Sequence, residues 1–156
     1  MRIYLPATLD ELGTSPDPAG GTTFAARRAH AVTDALRAAL PDEDDEGLEY
    51  AAQLAAADDA LLRIAAHPGV PELRLVLSAD VPDAAVTLAT GEDDAPSAVD
   101  VTVDVLLRDV ACGHVDEPEA AADVRAALTG DASAVERLSE RDLLWYDASE
   151  LGAIPR

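Results

Sequence analysis

DEDDEGLEYAAQLAAADDALLRIAA, residues 42–66, reads as one long amphipathic helix. Asp42, Glu43, Asp44, Asp45 and Glu46 offer an N-cap and then acids in the first turn, where negative charge complements the helix dipole. Gly47 weakens that turn, since a helical glycine costs about 1 kcal/mol relative to alanine. Tyr50, Leu54, Ala57, Leu61 and Ile64 then recur at helical spacing as an apolar seam. Pro68 and Gly69 end the helix, because proline cannot continue it. So wide an apolar face requires a sheet or another helix to cover it.

Working outward, the clearest cover is C-terminal. Leu73, Leu75, Leu77, Ala79 and Val81 alternate with more polar neighbours, and so do Val99, Val101, Val103, Val105 and Leu107. This period-2 pattern describes strands with one buried face, which suits antiparallel pairing. The seam is therefore expected to pack on Leu75, Leu77, Val101 and Val103. On the N-terminal side, residues 2–6 form a short strand and Thr8 caps a turn over 9–12. Residues 13–23, rich in Gly, Pro, Ser and Thr, read as a loop. Residues 25–40 read as a helix; an alternative has 29–33 extended, with Thr33 as the cap.

Beyond the two long strands, residues 85–88 and 110–115 are extended, the latter with a bulge or bend at Gly113. Asp116 with Glu119 and Ser133 with Glu136 have capping-box spacing ahead of two further helices. Residues 143–146 make a last strand, and the tail after Glu150 is expected to be loosely held. The succession predicts a single α+β domain over 1–156: a two-layer sandwich, its sheet antiparallel or mixed, its helices on one face. One candidate topology is the ferredoxin-like split βαβ. It would set the first and last strands side by side, bringing Tyr4 near Trp145 or Tyr146.

Acids outnumber bases 31 to 11, for a net charge of −20. A field of that sign repels phosphate backbones and anionic lipid, so nucleic-acid and membrane-surface partners are not expected. Every one of the 11 basic residues is arginine, which together with the abundant alanine reads as the codon bias of a GC-rich genome. One cysteine, Cys112, leaves no intramolecular disulfide and no multi-cysteine metal site. No apolar run approaches the roughly 18 residues of a membrane span, and no signal peptide is recognisable. A cytoplasmic location is expected.

The sequence carries no P-loop, dinucleotide fingerprint, nucleophile elbow or H-E-x-x-H zinc motif. No cofactor and no metal is expected. Candidates for pocket or interface roles are Tyr4, Glu49, Tyr50, His114, Asp116 and Trp145. His114 and Asp116 lie two apart in a strand, so their side chains share a face, as an acid–base pair requires. Cys112 shares that face, but a thiol–imidazole dyad also needs direct contact and an oxyanion site. Glu46 and Glu49 are one helical turn apart beside Tyr50, a spacing that serves a cation or acid–base work. Tyr4 and Trp145, placed opposite the core residues of their strands, would make an aromatic contact surface if the end strands were neighbours.

Several segments together are distinctive. They are residues 1–8 (MRIYLPAT), 29–33 (AHAVT) ahead of Ala35, 48–52 (LEYAA), 79–82 (ADVP), 114–116 (HVD) and 143–146 (LLWY) ahead of Glu150 and Leu151. The chain resembles, over nearly its whole length, a family of short acidic actinobacterial proteins of unknown function. It departs from that pattern at Asp34, where such proteins tend to carry proline, and at Gly47. The resemblance implies an actinobacterial host and a cytoplasmic protein, and brings no activity.

The leading expectation is a non-enzymatic module that binds a protein or a small ligand, as a candidate homodimer. The rival is a small enzyme doing hydrolase- or isomerase-like acid–base chemistry with His114 and Asp116, assisted by Glu49 and Tyr50. An enzyme requires at least three of these four in one concave site.

Overall fold

The structure, a computed structural model, describes residues 1–13, 21–91 and 94–155. Among them the strands are β1 (Arg2–Ala7), β2 (Thr23–Phe24), β3 (Arg28–His30), β4 (Leu75–Asp80), β5 (Val86–Leu88), β6 (Ala98–Val101), β7 (Val105–Leu106), β8 (Val110–Val115) and β9 (Leu144–Asp147). The α-helices are α1 (Asp34–Ala39), α2 (Asp45–Ala66), α3 (Ala121–Leu128) and α4 (Ala132–Ser139). The principal sheet is antiparallel throughout, in the order β5-β6-β3-β1-β4-β8-β9, and β2 pairs with β7 apart from it. The fold is α+β.

The first and last strands are not neighbours. β4 and β8 separate β1 from β9, so the split βαβ arrangement does not form and Tyr4 does not meet Trp145. β4 alternates cleanly and is long enough to pair fully on both sides, with β1 and with β8. That leaves β9 only the outer edge of β8.

Because side chains alternate across a strand, the sheet has two different faces. Ile3, Leu5, Leu75, Leu77, Val99 and Val115 point to one, each at most 1% exposed. That face is closed by Phe24 and Val105 of the small sheet, by Leu9 and Leu12 of a 3-10 turn, and by Leu151 and Ile154 near the C-terminus. It is therefore not open to solvent, and the segment after Glu150, expected to hang loose, is packed into the core through those two side chains. The other face carries Tyr4 and Val76 and receives α2.

The helix lies across β3, β1 and β4. It buries Leu48, Ala52, Ala56, Ala60 and Ile64, one row at intervals of four, with Ala57 beside it, so of the expected seam only Ala57 and Ile64 are buried. Tyr50 is 48% exposed, and Leu54 and Leu61 lie on the half-buried flanks. Alanine at the centre lets the helix backbone seat close on the sheet, which pushes the larger side chains outward. The partners differ too: Leu75, Leu77 and Val101 face away from α2, and Val103 is exposed. The helix starts at Asp45, three residues after Asp42, and Asp44 is its cap, with the carboxylate accepting from Gly47 N at 2.9 Å.

Local boundaries moved for identifiable reasons. The helix read over 25–40 is broken into β3 and α1, with Thr33 Oγ1 accepting from Leu36 N as the cap. The strand read over 99–107 divides between β6 and β7, which join different sheets. Asp131, not Ser133, caps α4 by accepting from Ser133 N and Ala134 N. Gly113 does not bulge and pairs in register with Leu77; the shift comes two residues earlier on β8, where Ala111 is passed over between the Ala79–Val110 and Ser78–Cys112 pairs. A Cβ at Gly113 would sit 2.5 Å from Leu151 Cδ2, so the bare backbone makes room for the C-terminal turn. The loop read over 13–23 lies for the most part outside the described residues. No helix among the described residues is long and apolar enough to cross a membrane.

Candidate functional site

Register builds a row of side chains across the helix-side face of the sheet. Tyr4 of β1 pairs with Ser78 of β4, and Ser78 pairs with Cys112 of β8. His114 stands two residues along β8 on the same face. α2 overlies β1 and β4, and its contacts thin out before β8, which leaves a cleft at this edge. From the helix, Glu46, Glu49, Tyr50 and Gln53 line it. These positions follow an i, i+3, i+4, i+7 pattern, a single stripe on the flank of α2. With Arg2 at its mouth, the cleft encloses about 290 Å³.

Two pairs of functional groups meet inside. The Tyr4 hydroxyl donates to Glu49 Oε2 at 3.0 Å. Burial first, and then the Glu49 carboxylate, push the Tyr4 phenol well above its ordinary value, so it remains a neutral donor. Across the cleft, His114 Nε2 lies 3.3 Å from Ser78 Oγ and 3.5 Å from Cys112 Sγ. Burial lowers the His114 imidazole below the usual histidine value, so at neutral pH the ring is uncharged. Glu46, Tyr50 and Gln53 have no side-chain hydrogen bond to any described residue. The charge of Arg2 is taken up by Asp80 through two bonds of 2.8 Å. The carboxylates of Glu46 and Glu49 thus leave the cleft net negative.

Four of the six sequence candidates, Tyr4, Glu49, Tyr50 and His114, line this one cleft. Asp116 does not. It is fully buried and ion-paired with Arg74, accepting from Nη2 at 2.8 Å, from Nε at 2.9 Å and from the Arg74 backbone N at 2.8 Å. With its acceptor sites used in this way it neither caps a helix nor reaches His114 as a catalytic partner. Trp145 is also apart: it pairs with His114 in register but stands on edge strand β9, 59% exposed and outside the cleft lining.

The sequence reading passed over Ser78 and Gln53. Ser78 was legible only as a polar member of an alternating strand, and its neighbours depend on pairing across 36 residues. A second polar chain was equally hidden. His30 Nδ1 lies 2.8 Å from Ser97 Oγ, and Nε2 lies 3.1 Å from Asp59 Oδ2. His30 and Ser97 are each 2% exposed, so this Ser–His–Asp series ties α2 to the sheet and offers no accessible nucleophile. Among the described residues, no group of three or more His, Cys, Asp or Glu side chains is placed to hold a metal ion.

No curated protein and no solved structure matches the chain. The model of a family of unknown function, DUF6912, matches residues 1–154, and the chain belongs to that family.

Proposed function

We propose that the protein is a binding module for a small organic cation, an amine or guanidinium compound, held in the cleft between α2 and β8. The observation that carries this reading is the convergence there of Glu46, Glu49, Tyr4 and Tyr50, two carboxylates and two phenol rings, around a space of about 290 Å³. Among the described residues Glu46 has no side-chain partner and Glu49 is bonded to Tyr4 alone, so both keep acceptor sites for a ligand N–H. Tyrosine faces add cation–π attraction, and the net charge of −20 raises the local concentration of cations. Titration of labelled protein with putrescine and with arginine methyl ester, followed by amide NMR, tests this. Saturable shifts at Glu49, Ser78 and His114 are expected. Glu49→Gln should weaken binding about tenfold or more, the worth of one charge-assisted hydrogen bond. Absence of shifts at these residues, or unchanged affinity in the variant, would sink the reading.

A second reading rests on His114 Nε2, placed within reach of both a thiol and a hydroxyl. In it the module is an enzyme: His114 takes the Cys112 proton, the thiolate adds to a carbonyl carbon as the C=O π bond opens onto oxygen, and the neutral Tyr4 phenol, turned from Glu49, donates to that oxyanion. Three of the four residues named for an enzyme, His114, Glu49 and Tyr50, line the cleft; Asp116 is replaced in that role by Cys112 and Ser78. Alkylation of Cys112 by iodoacetamide should then slow about tenfold or more at neutral pH in His114→Ala. Equal rates in the two proteins would remove the dyad.

A further inference from the structure

The opposite flank of α2, about 20 Å along its axis from Glu49, borders a second and larger cavity of about 470 Å³. Its lining has the reverse charge. Arg27, Arg28 and Arg63, three of the eleven basic residues in a chain of net charge −20, come together there with His67. Pro6 and Leu62 supply an apolar wall, and Leu62 is 67% exposed, among the most exposed large apolar side chains described.

The charges are unevenly matched. Arg27 Nη2 and Arg63 Nη2 both donate to the same oxygen, Glu11 Oε1, at 2.7 and 3.0 Å. Burial alone would raise the Glu11 carboxyl, but the Arg27 hydrogen bond and the Thr8 backbone hold it below the usual value, so it is a full anion at neutral pH. One carboxylate between two guanidiniums leaves one positive charge over. Arg28 is answered by Asp94 and Asp100, and Asp59, a carboxylate that also lines the groove, is hydrogen-bonded to His30. That excess is local to Arg27 and Arg63; counted together with Arg28, Asp59, Asp94 and Asp100, the groove as a whole is not net positive. Arg63 Nε is, among the described residues, the one buried side-chain nitrogen or oxygen without a hydrogen-bond partner. A buried donor left unpaired is costly, and a water or ion brought within its reach would recover that cost.

We propose that this groove binds an organic anion, a carboxylate or phosphate head joined to an apolar body. The head bridges Arg63 and Arg27, and the body lies along Leu62 and Pro6. The apolar wall separates this ligand class from a simple inorganic ion, which would gain nothing from Leu62. The two guanidiniums that share the single carboxylate of Glu11 separate it from a neutral lipid.

Calorimetric titration with octanoate, octyl phosphate, octylammonium and inorganic phosphate tests the proposal. The two octyl anions should bind at least about tenfold more tightly than octylammonium or inorganic phosphate, and their relative affinities identify the head group. Arg63→Met, which keeps the aliphatic stem, should weaken the octyl anions about tenfold or more, since a charge-assisted hydrogen bond is lost. Leu62→Ser, at a site too exposed to threaten the fold, should weaken them severalfold and leave inorganic phosphate unchanged. Circular dichroism checks each variant; should Arg63→Met unfold, the Leu62→Ser comparison decides. Octylammonium binding as tightly as octanoate, no binding of either octyl anion, or affinities unmoved by both substitutions would overturn it.

Discussion

Replacing Asp116 by alanine is expected to destabilise the protein by about 3–5 kcal/mol, the range found when one partner of a buried ion pair is removed. The Asp116 side chain is wholly buried and that of Arg74 is 4% exposed, so water cannot take over the lost contact. Arg74 Nη2 would keep only the Leu138 carbonyl, at 3.0 Å, and the Arg74 backbone N would lose its bond to Asp116 Oδ2. An uncompensated guanidinium would then sit between β4 and α4. The control is the double replacement Arg74→Met with Asp116→Leu, which removes both charges at similar volume and should recover most of the loss. Urea unfolding followed by circular dichroism measures all three proteins. A loss below about 1 kcal/mol in Asp116→Ala would mean that the pair is not buried in solution.

Leu77→Ala is expected to cost about 2–5 kcal/mol, as for leucines in closed cores. Leu77 is fully buried at the centre of β4, between Leu5 of β1 and Gly113 of β8. The C-terminal turn closes over this face, so the cavity has little freedom to collapse. Leu61→Ala should cost clearly less, because Leu61 is only half-buried at the margin of the small cluster formed by Ile64, Val124 and Leu138. The same urea experiment ranks the two variants. If Leu61→Ala proved the more damaging, the main core would lie under the helix, and the two-faced sheet described above would be wrong.

The elements themselves were largely legible because their causes are local. Acids ahead of a long 3.6-residue periodicity, Pro68 and Gly69 after it, and unbroken alternation over residues 75–80 each act within a few residues. They suffice for α2, β4 and the α+β class. The seam was misread for a physical reason too. Counting large apolar side chains favours Leu54 and Leu61, whereas a helix laid flat on a sheet buries its smallest residues, Ala52, Ala56 and Ala60.

What sequence alone determined is therefore the chemistry available: a strongly acidic chain, a long helix, alternating strands, and Tyr4, Glu49, Tyr50 and His114 as groups worth locating. Tertiary structure decided which of them meet. Pairing of β8 between β4 and β9 brings His114 to Ser78 and sends Trp145 to the edge, and the seating of α2 sets Glu49 over Tyr4. Asp116, indistinguishable in sequence from a helix cap, was claimed by Arg74, 42 residues away. Strand order and ion pairing at such separations depend on which partners bury one another best. That is a property of the whole packed chain, which local spacing does not encode.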